Sequence, residues 1–170
     1  MHPLGTPIVV TVDEFVRLKP SLGRVVAVSG GFDPLHSGHL ELFSEAKKLG
    51  DTLVVILNND HWLAKKKGAA FMSEAQRAQI ICALRMVDGV VLSEHPEDPL
   101  DMSISSELER IRPHVFANGG DRRDRETVPE WQVCEDYGIE FITGIGGEKR
   151  WSSSSLLKNW HDFFSSRPGT

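Results

Sequence analysis

Apolar residues along this chain alternate between two patterns. Short continuous runs recur, and each is followed by a segment whose apolar positions return every three or four residues. Val25–Val28 is the first strong run, and its β-branched side chains predict a buried strand. Behind it, Ser37–Leu49 carries Leu40, Phe43, Ala46 and Lys47 at helical spacing, and Gly50 is a good residue to end that helix. Thr52–Leu57 is a second apolar run, closed by the turn formers Asn58-Asn59-Asp60. Ser73 with Gln76 has the form of a capping box and opens a helix from Glu74 to about Met86. Val87–Leu92 predicts a short strand interrupted by Asp88-Gly89. Ser103–Ile111 predicts a helix with Ile104, Leu108 and Ile111 on one face. Val115–Ala117 is strand-like and runs into the tight turn Asn118-Gly119-Gly120-Asp121. A helix follows from Pro129, a favoured first-turn residue, to Tyr137, with Gly138 stopping it. Ile139–Ile142 is the last predicted strand. The glycine-rich loop Gly144–Gly147 then leads to Ser152–Ser155 and a closing helix through Phe164.

Five strands alternating with helices imply parallel pairing with right-handed crossovers. The expected fold is therefore α/β: a Rossmann-like, open, five-stranded parallel sheet with helices on both faces. Such sheets bind ligands beyond the carboxyl ends of their strands, near the point where strand order reverses. Residues 1–22 read as an N-terminal extension with a short helix at Val12–Leu18, residues 23–164 as the principal domain, and residues 165–170 as a frayed tail.

The chain has 170 residues, enough for one domain with a sizeable core. Its formal net charge of −5 argues against a nucleic-acid duplex as partner, but a nucleotide needs only a local positive pocket. Cys82 and Cys134, the only cysteines, lie in apolar-periodic segments and read as buried free thiols. No apolar run approaches membrane-spanning length and no signal-peptide pattern opens the chain, so a cytoplasmic protein without a membrane partner is expected.

The segment Gly30–Leu40, Gly-Gly-Phe-Asp-Pro-Leu-His-Ser-Gly-His-Leu, carries the sharpest chemical signal. It joins a buried strand to a helix and places His36 and His39 three residues apart at the helix start, on one face. A helix N-terminus offers free N–H groups and partial positive charge to a phosphate. Gly30 and Gly31 allow backbone close to that phosphate, and Phe32 sits beside them. Metal ligation by the histidines lacks an obvious third and fourth ligand beyond Asp33, so no protein metal site is expected. Asp33 reads either as a turn cap before Pro34 or as a carboxylate meeting magnesium or an acceptor. Lys65-Lys66-Lys67, followed by Gly68, Ala69 and Ala70, reads as a mobile cationic loop that closes over a triphosphate, or as a solvated surface. Arg77 is either a surface residue or a phosphate clamp. Asn118, Gly119, Gly120 and Asp121 lie at the ligand edge and are candidate nucleotide contacts. Ser152, Ser153, Ser154 and Ser155 form an N-cap or a second phosphate-gripping helix start.

Together these blocks resemble the nucleotidyltransferase superfamily marked by H-x-G-H, also called cytidylyltransferase-like, from about Ile8 to Trp160. Within it the chain looks most like the adenylyltransferase domain of ADP-heptose synthases, on the Val12–Leu18 helix, Asn58-Asn59-Asp60, Gln76-Arg77 and Gly119-Gly120-Asp121. Glycerol-3-phosphate cytidylyltransferase is the second likeness. Trp151 or Ser152, depending on register, stands where relatives open the serine motif with isoleucine. The resemblance implies transfer of a nucleotidyl group, AMP favoured, from ATP or CTP to a phosphorylated small molecule such as a sugar phosphate. It implies magnesium with the triphosphate and a homodimer. His36, His39, Lys67 and Arg77 would be catalytic, with Lys65 among the nucleotide contacts. A non-catalytic nucleotide-binding module and a flavodoxin-like phosphate binder are the rivals, and neither needs paired histidines.

Overall fold

The computed structural model describes residues 8–119, 128–147 and 152–166. Gly120, Asp121 and the tail from residue 167 onward lie outside them. In chain order the elements are β1 (Ile8–Val10), α1 (Val12–Leu18), β2 (Val25–Gly30), α2 (Ser37–Lys47), β3 (Thr52–Leu57), α3 (Asp60–Lys67) and α4 (Glu74–Cys82). There follow β4 (Gly89–Leu92), α5 (Ser105–Ile111), β5 (Val115–Gly119), α6 (Glu130–Asp136), β6 (Glu140–Ile145) and α7 (Ser153–Ser165).

The sheet has six strands in the order β1-β4-β3-β2-β5-β6, all parallel, rather than five. The additional strand lies in the N-terminal segment, where Ile8, Val9 and Val10 pair with Gly89, Val90 and Val91. Three residues are too few for a period to declare itself, and Val9 on this edge strand is half exposed. Helix α1 starts where the sequence places it. Thr11 and Glu14 close a capping box, with Glu14 N–H donating to Thr11 Oγ1 at 3.2 Å and Thr11 N–H to Glu14 Oε2 at 2.8 Å.

Alternation along the strands divides the core into two. Val26, Val28, Leu53 and Val55 face α2 and α4 through Phe43, Ala46, Ala78 and Ile81. Val25, Ala27, Val54 and Ile56 face α1, α5 and α6 through Phe15, Leu108 and Cys134. The order reverses at β2, which pairs with β3 on one side and β5 on the other. That reversal leaves a crevice at the carboxyl ends of these strands.

The lysine run is not a loop. Lys65, Lys66 and Lys67 form the last turn of α3, which Asn59 caps by accepting the Trp62 N–H at 3.0 Å and Gly68 ends with φ 89°. Three cations at a helix carboxyl end are stabilised by its partial negative charge, and lysine is a good helix former. Gly68 is the helix terminator rather than part of a loop that includes the lysines.

Candidate active site

A cavity of about 710 Å³ opens at the reversal point. That size falls within the roughly 300–1,000 Å³ of typical small-molecule sites. Gly30, Gly31, Phe32, His36 and His39 line it from the β2–α2 connection, Lys66 and Lys67 from α3, Asn118 and Gly119 from β5, and Ser152–Ser154 from the start of α7. The structure thus gathers most of the sequence-predicted blocks around one space.

His36 is the N-cap of α2 and His39 lies in its first turn. Their rings stack with centroids 3.7 Å apart, and Phe32 meets the His39 ring edge-on at 4.9 Å. His36 N–H donates to His39 Nδ1 at 3.3 Å. Burial, helped by the neighbouring His36 and Lys67, pushes the His39 pKa down from 6.5 to about 3. His39 is therefore neutral, and because Nδ1 accepts, its proton sits on Nε2. That Nε2–H is a donor available to an oxyanion.

Lys67 Nζ donates to the Asp33 carbonyl at 2.8 Å, which holds the ammonium at the cavity wall. Burial lowers its pKa, opposed by Asp33 and reinforced by Arg77. Lys65 turns away: it pairs with Asp98 at 2.5 Å on the exposed surface and does not line the cavity. Lys66 lies 4.3 Å from the centre of the Trp62 ring.

Arg77 is enclosed and does not line the cavity. It is fully buried and donates to the carbonyls of Gly31 and Asn58 at 2.7 Å, to that of Met72 at 3.0 Å, and to the Asp60 carboxylate at 2.6 Å. It ties the glycine turn after β2 to the end of β3. Asp33 takes the capping role of its two readings: it is 1% exposed, and its carboxylate accepts the N–H groups of Phe71 at 2.7 Å and Met72 at 2.8 Å. Among the described residues, no group of three or more His, Cys, Asp or Glu side chains could hold a metal ion.

Ser152 is the N-cap of α7 and accepts the Ser155 N–H at 3.0 Å, so Ser155 serves the cap and does not line the cavity. Ser153 Oγ donates to the Pro34 carbonyl at 2.8 Å and fastens the α7 start to the histidine segment. The first N–H groups of α7 have no carbonyl partner within the helix, and Ser153 and Ser154, which carry two of them, line the cavity. Gly146 also lines the site. Its φ is 83°, and a Cβ there would lie 3.0 Å from Leu42 N and 3.1 Å from Leu42 Cα.

Several lining residues carry no motif signal: Trp62, Met102, Ile104, Phe116, Val128 and Glu130. Ile104 and Phe116 read from sequence only as core positions, and nothing in local spacing marks Glu130.

A parallel sheet whose first α2 turn presents two histidines to a glycine-lined cavity defines a nucleotide-handling α/β protein. The chain belongs to the cytidylyltransferase-like family, which matches residues 27–136. It is 37% identical over 129 residues to the bifunctional protein HldE of Geotalea uraniireducens, a match covering 74% of this chain and 25% of that protein. The chain thus spans about a quarter of that relative. It is 39% identical over 143 residues to the FAD synthase of Pyrococcus abyssi, covering 82% of this chain and 93% of the relative. Among solved structures, a lipopolysaccharide core biosynthesis protein from Thermoplasma volcanium superposes with a TM-score of 0.58 at 27% identity, covering 76% of this chain and 99% of that one. Pantoate-beta-alanine ligase from Francisella tularensis shares the fold, with a TM-score of 0.62 at 17% identity over 89% of this chain and 73% of that one. Family and relatives support nucleotidyl transfer as the reaction class. No described helix is long and apolar enough to cross a membrane.

Proposed function

We propose that this chain transfers the AMP group of ATP to the phosphate of a small-molecule acceptor and releases pyrophosphate. The observation that carries the reading is the His39 Nε2–H, a neutral donor beside Lys67 at the N-terminus of α2. An acceptor phosphate oxygen attacks the α-phosphorus in line. The new O–Pα bond forms as the bond from Pα to the bridging oxygen breaks, and that oxygen leaves with pyrophosphate. The acceptor is already an anion, so no protein nucleophile is needed and catalysis is positioning and charge stabilisation.

In this scheme His39 and His36 hydrogen-bond the oxygens on which charge develops. Lys67 and the α7 start hold the distal phosphates, and Gly31 lets backbone approach them. Magnesium travels with the triphosphate as part of the substrate, since Asp33, the buried carboxylate of the histidine segment, already accepts two N–H groups. The net charge of −5 suits a small-molecule acceptor better than a nucleic acid.

Support for ATP comes from the kinship with FAD synthase, because FAD contains an adenylate half. CTP is the competing reading, by kinship with cytidylyltransferases. Each of four nucleoside triphosphates, offered with magnesium and a panel of sugar, polyol and vitamin phosphates, separates the readings by pyrophosphate release. Turnover with ATP is expected. Turnover with CTP in its place makes the chain a cytidylyltransferase, and none with any pair leaves a nucleotide-binding module.

A further inference from the structure

Part of the cavity wall is carried by a loop. Met102 and Ile104 line the space from the segment between β4 and α5. Two consecutive carbonyls hold this segment in place. Trp62 Nε1–H donates to the Met102 carbonyl at 2.8 Å, and His95 Nε2–H donates to the Ser103 carbonyl at 2.9 Å. The second bond joins His95 to Ser103 and closes the loop between them at its base. Leu100, within that loop, is 98% exposed, whereas His95, Ser103 and Ile104 are buried.

We infer that His95 is a positioning residue for nucleotidyl transfer, acting through the Ser103 carbonyl on the wall that Met102 and Ile104 form. This rests on the transfer reading above and adds to it a residue outside the cavity lining. The ring has one arrangement that satisfies it. The Ser103 carbonyl only accepts, so Nε2 carries a proton. Nδ1 lies 2.8 Å from Ser93 Oγ, and that oxygen already accepts the Asn59 N–H at 3.0 Å. In the Nε2–H tautomer the Ser93 hydroxyl donates to Nδ1, and both ring nitrogens are paired. A serine hydroxyl against an imidazole has the form of a nucleophile with its base. Here both residues are buried outside the cavity, and the far ring nitrogen is taken up by a carbonyl.

The backbone beneath the ring is fixed independently of it. The His95 carbonyl accepts from Asn59 Nδ2 at 2.8 Å and from His61 Nδ1 at 3.1 Å. Asn59 is also the N-cap of α3, so the residue that starts the helix bearing Trp62, Lys66 and Lys67 anchors His95 as well. The two ring donors reach the loop from different elements, Trp62 from α3 and His95 from beyond the end of β4. Together they fix the Met102–Ile104 wall relative to the lysine-bearing helix. Without the His95 ring, the buried Ser103 carbonyl has lost its donor, and the loop must shift toward water to recover one.

Three measurements on the full chain test this. Long-range proton–nitrogen correlation NMR of the parent should show His95 as the Nε2–H tautomer, and an Nδ1–H form overturns the inference. His95→Gln and His95→Asn then separate the two ring nitrogens. A glutamine amide reaches as far as Nε2 and can donate to the Ser103 carbonyl, whereas an asparagine amide reaches only as far as Nδ1. With isotope-labelled methionine methyl groups, the Met102 signal should keep its parental position in His95→Gln and move in His95→Asn. Pyrophosphate release from ATP with magnesium, over the panel of sugar, polyol and vitamin phosphates, supplies the kinetics. In His95→Asn the KM for at least one substrate should rise about fivefold or more while kcat falls less than about twofold, and His95→Gln should recover most of that loss. A bond that serves the fold alone would lower the urea midpoint and leave KM unchanged, which overturns the inference. A KM loss of equal size in both variants also overturns it. Both variants keep the main-chain contacts of His95, and the tautomer measurement needs neither of them to fold. A parent chain that releases no pyrophosphate with any pair overturns the transfer reading together with this inference. A parent that turns over beside kinetically identical variants overturns this inference alone.

Discussion

The imidazoles of His36 and His39 lie face to face, 23° from parallel, while the N–H of the first donates to Nδ1 of the second. That contact fixes the tautomer of His39 and disfavours a second positive charge beside it. It turns the residue into a fixed Nε2–H donor rather than a proton carrier. Replacing His39 by Ala should lower kcat/KM by roughly 10²–10³, the usual loss for one donor to a developing oxyanion. His39→Gln, whose side-chain N–H reaches about as far, should recover part of it. Circular dichroism should be unchanged in both. Near-parental turnover in His39→Ala would take the histidine out of the chemistry.

The same burial has a consequence for stability. His39 stays neutral in the folded chain down to about pH 3, whereas in the unfolded chain it takes a proton near its ordinary value of 6.5. The unfolded state therefore binds more protons between those values. The contribution is present in full above about pH 6.5 and is lost progressively as pH falls toward 3. In ligand-free protein, the urea midpoint should drop more between pH 7 and pH 5 for the parent chain than for His39→Gln. Parallel profiles would show that His39 titrates normally.

The lysines of α3 should divide. Lys67→Ala removes the one cation of the run held between the Asp33 carbonyl and the cavity, and should raise the KM for triphosphate or lower kcat by about tenfold or more. Lys65→Ala removes only an exposed pair with Asp98 and should change stability by less than about 1 kcal/mol, with turnover unaltered. Steady-state kinetics on the two variants checks this. Equal losses in both would place the whole run over the phosphates.

These two lysines also mark where sequence reading stops. The apolar runs and their helical intervals located β2–β6 and the parallel sheet, because period and β-branching are local properties. The Gly30–Leu40 segment announced its chemistry, because strand, glycine turn and helix start are contiguous. Which lysine faces the site depends on the rotation of α3 about its axis, which the buried Trp62 and Leu63 set by packing beside Gly31. Arg77 follows the same rule. A lone arginine early in a helix looks available, and only the approach of the Gly31 and Asn58 carbonyls, distant in sequence, shows that it is enclosed. Ile104, Phe116 and Glu130 were illegible as cavity residues because they come from separate parts of the chain and share no spacing.

Arg77 should accordingly behave as a strut. Arg77→Met fits a similar volume but strips donors from three carbonyls and the Asp60 carboxylate. Each buried acceptor left unsatisfied costs about 1–3 kcal/mol, so a loss of at least about 3 kcal/mol is expected. Urea unfolding reads it directly. A variant as stable as the parent but unable to bind triphosphate would return Arg77 to the role of a phosphate clamp.

Gly146 and Gly147 separate two reasons for glycine in one loop. Both have positive φ, 83° and 74°, so alanine at either position bears a backbone penalty of about 1–2 kcal/mol. They differ in what a methyl group would meet. At Gly147 nothing lies within 4 Å of the added atom. At Gly146 it would press on Leu42 N and Cα at 3.0–3.1 Å, and these are main-chain atoms of α2 that cannot swing aside as a side chain would. Relief requires β6 and the following loop to move away from α2, which widens the gap between the histidines on α2 and the start of α7. Both variants should lose similar backbone stability, but only Gly146→Ala should also bind triphosphate several-fold more weakly, with the KM rising more than kcat falls. Calorimetric titration of ATP with magnesium into the two proteins decides it. Equal affinities in both variants would mean that the spacing of α2 and α7 does not set the grip on the phosphates.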